Sequence, residues 1–280
     1  MPGWQSGWLQ SYFMQQQQSN THIVPRQPHA VPSTARPPVP RVGGSSNSSK
    51  TSTPCKHSTS LSQWTSQAGQ DRYVYDQFVN VPNALLRCNG GVFVEFGARN
   101  GIEHSNTYFF EKVLGWKGLL FEADPKEHPL LRRNRPGATC FEGAVCPRGQ
   151  HSVNFAVSRI PGWSGPSQSY EPTRYSHTER VQQVKCFDLA QELIRRNWTT
   201  VDYMTIDVEG HEAAIVEDFP WRSFRIKLVQ VEQLDERNFP AQKGRKDRII
   251  KHMRSNGYAL TKVYTVAPMD TEDLIFSLRD

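Results

Sequence analysis

An open α/β sheet of seven strands, covered by helices on both faces, is the fold class predicted for this 280-residue chain. Three observations predict it. From about residue 68 onward, short apolar runs alternate with helical stretches, the pattern of a parallel sheet buried on both sides. Residues 92–101, VFVEFGARNG, carry one apolar run straight into a turn with two glycines. Residues 118–125, GLLFEADP, end the next run on a carboxylate, the distance along the chain at which a βα unit presents an acid to a ribose.

In chain order, strands are expected at 92–97, 118–123, 139–145, 202–208, 227–233, 257–264 and 273–279. Helices are expected at 71–87, 105–114, 125–134, 188–197, 211–217 and 243–256. Asp188 ahead of LAQELIRRN reads as an N-cap, with arginines at the far end where the helix dipole favours them. The stretch 146–186 interrupts this alternation with two β-like pieces, HSVNFAVS and VQQVKCF, around a polar loop. A loop of that length is usually functional. Trp163, Ser164, Tyr170 and Tyr175 suit a lid over a polar acceptor, and a variable surface excursion is the alternative.

Composition sets the N-terminal part aside. Residues 1–60 are rich in Gln, Ser, Thr and Pro, a composition that cannot bury a core, and are expected to be a disordered tail ahead of a domain over 61–280. Residues 1–70 hold five of the 33 basic residues and no acid, leaving 28 basic against 27 acidic in the rest. Five of the six net positive charges therefore belong to the tail, and no dense basic face is implied, which argues against a nucleic-acid partner. No apolar run is long enough to span a membrane. Cys55, Cys88, Cys140, Cys146 and Cys186 are odd in number and lack C-x-x-C spacing, so reduced thiols in a cytoplasmic setting are expected. Two glycosylation sequons, at Asn47 and Asn197, are too common by chance to alter that expectation.

The glycine turn bears on the ligand. A dinucleotide turn, G-x-G-x-x-G, needs a third glycine for a pyrophosphate at the helix N-terminus, whereas this turn reads E-x-G-x-x-x-G. S-adenosylmethionine has no phosphate and carries a sulfonium and an amino group, which an acid at the strand end, Glu95, serves better than a bare helix dipole. Gly97 and Gly101 would let backbone N–H groups approach the ligand.

The second constellation is VDYMTIDVEGHE (201–212), which brings Asp207, Glu209, His211 and Glu212 to the carboxyl end of a strand, where α/β sheets place their active sites. Methyl transfer from a sulfonium requires alignment of donor and acceptor and removal of a proton from the acceptor. His211 is the natural base at neutral pH, with Glu209 orienting it or taking the proton itself. The alternative makes His211 a helix cap and Glu212 a solvated first-turn acid. Asp207 would contact the cofactor or fix the turn. No metal is expected, although Asp207 with Glu232 and Gln233 are oxygen donors that a magnesium-type site could use.

These residues carry a family likeness. SQAGQD (66–71), VEFGARNGIEHSNTYFFEKVLGWKGLLFEADP (94–125), the strand containing Ala144 and IDVEGHE (206–212) resemble the FkbM family of S-adenosylmethionine-dependent methyltransferases, over about residues 62–280. The resemblance implies a class I methyltransferase sheet, Rossmann-like, with its last strand antiparallel. It implies that Glu95, Gly97 and Gly101 line the methionine side, that Glu122 holds the ribose hydroxyls and that Ala144 lies near adenine. Gln70, Asp71, Asn100, Ser105, Asn106 and Thr107 fall at positions of cofactor or acceptor contact. Arg99 departs from the family pattern and either reaches the methionine carboxylate or points to solvent. The implied activity is methylation of a hydroxyl on a sugar, glycan or small metabolite. A binding or scaffold protein that retains the fold and an NAD-dependent oxidoreductase are the alternatives.

Overall fold

The computed structural model describes Cys55 and residues 63–168, 176–237, 239, 242–266 and 271–279. The expected tail over 1–60 lies outside these residues, Cys55 excepted, as do Tyr170 and Tyr175.

Seven strands form the main sheet: β1 (Val92–Phe96), β2 (Lys117–Glu122), β3 (Thr139–Glu142), β8 (Thr200–Ile206), β9 (Arg225–Leu234), β10 (Tyr258–Val266) and β11 (Thr271–Leu278). Their spatial order is β10-β11-β9-β8-β1-β2-β3. The central strands β3, β2, β1, β8 and β9 are mutually parallel, and β11 inserts antiparallel between β9 and β10. Apolar residues at successive positions keep both faces of the central strands buried, as a parallel sheet requires.

Each face has its own helices. On one side Val94, Phe96, Phe121 and Met204 pack with α4 (Leu189–Arg195), α5 (Glu212–Asp218) and α6 (Arg245–Ser255). On the other, Phe93, Leu120 and Tyr203 meet α1 (Gln70–Val74, continuing as a π-helical turn to Val79), α2 (Tyr108–Lys112) and Leu131 of α3 (His128–Asn134). Asp188 caps α4 as expected, accepting a hydrogen bond from the Gln191 N–H at 3.2 Å. No helix among the described residues is long and apolar enough to cross a membrane.

Three expectations need correction. The helix expected over 71–87 ends at Val79, because Pro82 lacks an N–H and pushes the residue before it away from helical geometry. The strand expected over 139–145 is two: β3 lies in the main sheet, while β4 (Ala144–Val145) pairs with β7 (Thr178–Phe187) in a second sheet. The insertion supplies the rest of that sheet, β5 (Ser152–Ser158) and β6 (Gly165–Pro166), in the order β4-β7-β5-β6.

The third correction concerns the cysteines. Cys55 pairs with Cys88 and Cys146 with Cys186, and Cys140 is the free thiol. Spacing could not show this, because each pair is closed by the fold, across 33 and 40 residues. Cys55 is buried in the α1/α2 core and its carbonyl accepts the Tyr75 hydroxyl at 2.8 Å. Reduced thiols were the ground for expecting a cytoplasmic setting, and that ground is gone.

Candidate functional site

The carboxyl edge of the sheet gathers the residues singled out by sequence. At the end of β1 the chain turns through Gly97, whose φ of 75° belongs to the left-handed region. A Cβ there would stand 1.9 Å from the Asp207 carbonyl oxygen, so the glycine is required for β8 to leave the sheet beside β1. The Gly97 N–H donates to the Phe121 carbonyl at 2.9 Å. At Gly101 a Cβ would meet the Arg135 and Leu131 side chains at 2.5 and 2.9 Å, and its N–H donates to the Ala98 carbonyl at 2.8 Å. Both glycines thus admit neighbouring protein, and their N–H groups are spent inside the fold.

Glu95 also turns inward. Its carboxylate accepts the Asn106 N–H at 2.7 Å, the Ser105 hydroxyl at 2.8 Å and the Thr107 hydroxyl at 2.6 Å. These bonds hold 105–107 out of the helix expected to begin there, which starts at Tyr108. Asn100 caps the turn before it, accepting the Ile102 and Glu103 N–H groups.

Arg135 completes this arrangement and was missed by the sequence reading. It is fully buried at 0 % exposure and ion-paired to Glu111 at 2.6 Å and Glu95 at 3.6 Å. It donates to the Gly101 carbonyl and to the Ser105 and Thr107 hydroxyls at 3.0–3.1 Å. In RRNRPG nothing distinguishes it from its exposed neighbours Arg132 and Arg133.

The carboxylate expected at the end of the second strand lies at the carboxyl edge of the sheet. Glu122 ends β2, buried, accepting the Arg99 and Asp124 N–H groups at 2.6 Å each. Burial pushes its pKa up to about 7, against the lowering effect of those two bonds. Gly143 donates to the Glu122 carbonyl at 2.7 Å, which seats Ala144 beside it. Arg99, itself at φ 46°, does not simply point to solvent: its guanidinium lies 3.0 Å from His104 Nδ1 and 3.6 Å from Glu103. Burial and the Arg99 charge hold His104 down at about 4. The insertion docks here, the Ser164 hydroxyl donating to Asp124 at 2.6 Å and Lys126 to the Ser158 carbonyl at 3.2 Å.

Past β8, Asp207, Glu209 and Glu232 converge, with one carboxylate oxygen from each within 4.8 Å of the others. The register explains it: Thr205 lies opposite Gln230 in parallel strands, so the next pair on that face is Asp207 and Glu232. Asp273 of β11 stands opposite Glu232. Burial, reinforced by the neighbouring carboxylates, pushes Asp207 and Glu232 well above the usual range. Like charges this close resist joint ionisation, so each carboxylate makes its neighbour harder to ionise. The three oxygens could hold a metal ion. Gln233, the next residue of β9, turns its amide to the backbone, Nε2 donating to the Leu234 carbonyl at 2.6 Å.

Glu209 has φ 58°, a conformation that costs a non-glycine residue free energy and that concentrates at functional sites. Glu212 corrects an alternative raised from sequence. It is buried, not solvated, and accepts the Val208 N–H at 3.0 Å and the Gly210 N–H at 2.9 Å, fixing the loop that carries Glu209. Arg245 faces it at 3.4 Å. His211 is the N-cap residue of α5 without a side-chain capping bond. Burial lowers its pKa, Glu212 raises it and Arg245 lowers it, so its charged neighbours lie on the α5/α6 side and the ring is neutral at pH 7.

Gln70 and Asp71 divide. Gln70 donates to Asp273 at 2.8 Å, and Gln230 donates to the other oxygen of Asp273 at 2.9 Å and to Asn106 at 3.3 Å. Burial raises Asp273 to about 6. A buried polar network therefore joins α1, the 105–107 loop and the carboxylate group. Asp71 is consumed locally, accepting the Thr65 and Ser66 N–H groups and the Ser66 hydroxyl.

Strand order, the inserted antiparallel seventh strand and an acid-rimmed carboxyl edge define a class I methyltransferase fold. The family model described as "Methyltransferase FkbM domain" matches residues 95–260, more than half of the chain, and the chain belongs to that family. Its cofactor is S-adenosylmethionine, and the acidic rim fits a cationic methyl donor. No curated protein matches the sequence. Among solved structures, the O-methyltransferase from Bacillus cereus in complex with SAH is similar at 13 % identity over 79 % of this chain and 83 % of that one, with a TM-score of 0.44. Aeropyrum pernix fibrillarin with natively bound S-adenosyl-L-methionine is similar at 15 % identity over 68 % and 67 %, with a TM-score of 0.40. Similarity of that degree carries no inference of its own.

Proposed function

We propose that this methyltransferase acts on a hydroxyl of a sugar, glycan or small metabolite, and that the acceptor is held at the end of β8 and β9. The observation that carries the proposal is the convergence of Asp207, Glu209 and Glu232 within 4.8 Å beside the Gly97 turn. A polyol offers the several O–H donors that such a group of acceptors can bind. The bound cofactor supplies an electrophilic methyl group on a sulfonium, so the protein has to align the acceptor and take its proton.

In this reading the Asp207–Glu232 pair, whose burial favours the protonated form, orients the hydroxyl. Glu209 is the proton acceptor, raised on a loop that Glu212 fixes from beneath. His211 follows as the neutral base at the start of α5, able to receive that proton. Glu122 takes the ribose hydroxyls on oxygens already oriented by two backbone N–H groups, with Ala144 and Arg99 beside it. Glu95, Gly97, Asn100, Gly101, Ser105, Asn106 and Thr107 shape the cradle, and Gln70 ties α1 to it.

Titration calorimetry with S-adenosylmethionine and its demethylated product tests the first half: both should bind, and Glu122→Ala should weaken both. Transfer of a labelled methyl group to a panel of polyols, with Glu209→Gln as the comparison, tests the second. Label appearing on amine or thiol acceptors and on no hydroxyl compound would reject the hydroxyl reading while leaving the cofactor site intact.

A further inference from the structure

We propose that Asn197 is an N-glycosylation site, and that the chain matures in an oxidising compartment where that modification is made. The proposal stands on two independent features of the structure.

The first is the placement of Asn197-Trp198-Thr199, which has the N-x-[ST] form of an acceptor sequon. α4 ends at Arg195, and the chain leaves it through Asn197 in the left-handed conformation, φ 54°, with the Asn197 N–H donating to the Ile194 carbonyl at 2.9 Å. Trp198 folds inward, its N–H bonded to the Leu193 carbonyl at 2.9 Å and its ring packed against the core with the Lys117 ammonium 5.3 Å from the ring centre. Asn197 and Thr199 are exposed. The middle residue is thus anchored while the two that the glycosylation machinery reads face solvent. Among the described residues the Asn197 carboxamide makes no hydrogen bond, so attaching a sugar breaks nothing.

A glycan here would also leave the proposed site open. Thr200 begins β8 and Ile206 ends it, so Asn197 and Asp207 flank opposite ends of one strand, roughly 20 Å apart. The sugar would stand at the amino edge of the sheet, away from the carboxyl edge where acceptor and cofactor are read.

The second feature is the pairing of four of the five cysteines as Cys55–Cys88 and Cys146–Cys186. Disulfides persist in secreted proteins and secretory lumens and are rare where glutathione keeps thiols reduced. The same lumen holds the donor for sequon asparagines, an oligosaccharide linked to a lipid diphosphate. In the transfer, a bond forms between the anomeric carbon of the first sugar and Asn197 Nδ2 as the bond from that carbon to the diphosphate oxygen breaks. The lipid diphosphate leaves, and one amide proton is lost to base.

The test uses the full chain, produced in cultured eukaryotic cells behind a cleavable secretion leader and carrying Asn47→Gln to remove the other sequon. Protein is recovered from the medium and from the membrane-enclosed pool. Amidase removal of N-glycans should lower its apparent mass by a single step, and the released peptide should contain Asp at position 197 with heavy oxygen from the labelled water. Asn197→Gln and Thr199→Ala should abolish that step, and Thr199→Ser should retain it. Alkylation without reduction should label Cys140 alone. An unmodified Asn197 in both pools overturns the site, and labelling of all five cysteines overturns the compartment argument.

Discussion

The carbonyl oxygen of Asp207 occupies the space that a side chain on Gly97 would need: a Cβ there would lie 1.9 Å from it. The turn after β1 and the loop after β8 are therefore one packed unit. Gly97→Ala must either displace Asp207 or twist β1, and the φ of 75° adds a penalty of its own. The expected cost is about 2 kcal/mol or more, by analogy with overpacked cores. Urea unfolding should show it, and calorimetry should show cofactor binding lost along with it.

Arg135 is the counter-charge for two buried acids. Arg135→Ala would leave Glu95 in the interior without its counter-charge, while Glu111 keeps Lys112 at 2.8 Å, and breaking a buried pair typically costs about 3–5 kcal/mol. Because the same guanidinium holds Ser105 and Thr107, amide exchange across 105–107 should rise in the variant even where the global fold survives. Unaltered exchange there would contradict the role assigned to it.

Glu209 trades stability for position. Glu209→Gly relieves the left-handed backbone at φ 58° and should raise stability by about 0.5–1 kcal/mol. Turnover should fall by roughly 100-fold or more, in line with loss of a general base. Paired thermal melts and methyl-transfer rates check both halves. A variant that is more stable and equally active would remove Glu209 from the chemistry.

Glu122 makes stability depend on pH. Its folded pKa of about 7 lies above the ordinary value of 4.5, so the folded protein favours the protonated acid. Its contribution is fully present below pH 4.5 and is lost as the pH rises toward 7, a change on the order of 3 kcal/mol. Asp273, at about 6, acts in the same direction. Glu122→Gln carries a constant penalty for its mismatched amide but should flatten the fall in unfolding free energy between these limits. An unchanged slope would show that Glu122 titrates normally.

Removing Cys55 should be felt well beyond the expected tail. Deletion of residues 1–60 takes away the Cys55–Cys88 bridge, whereas deletion of 1–50 keeps it. The longer deletion should be less stable by about 2–4 kcal/mol under oxidising conditions, and the two should converge in strength of folding once the disulfide is reduced. Chemical denaturation with and without reductant measures this.

Much of the fold was legible because a buried parallel strand has a simple signature. VFVEF, GLLFE and the run ending at Ile206 are apolar at every position that packing requires, and their spacing left room for a covering helix between them. Glu122 could be placed for the same reason: a carboxylate that ends such a run lies at the sheet edge. The break at Gly143 was not legible, because β3 and β4 are separated by one residue and differ only in which partner each finds. Nor was the role of Glu95, whose three hydrogen-bond donors come from residues 105–107, in a stretch that reads as helix.

By itself the sequence determined which segments are strands, which strand ends carry acids and which family the motifs belong to, since these follow from local hydrophobicity and spacing. Only the tertiary structure decided that Asp207 and Glu232 share a face with Asp273, that Arg135 alone among its neighbours is buried, and that four cysteines are paired. Those facts depend on strand register and on contacts between residues far apart in the chain, where a shift of one position reverses the direction of a side chain.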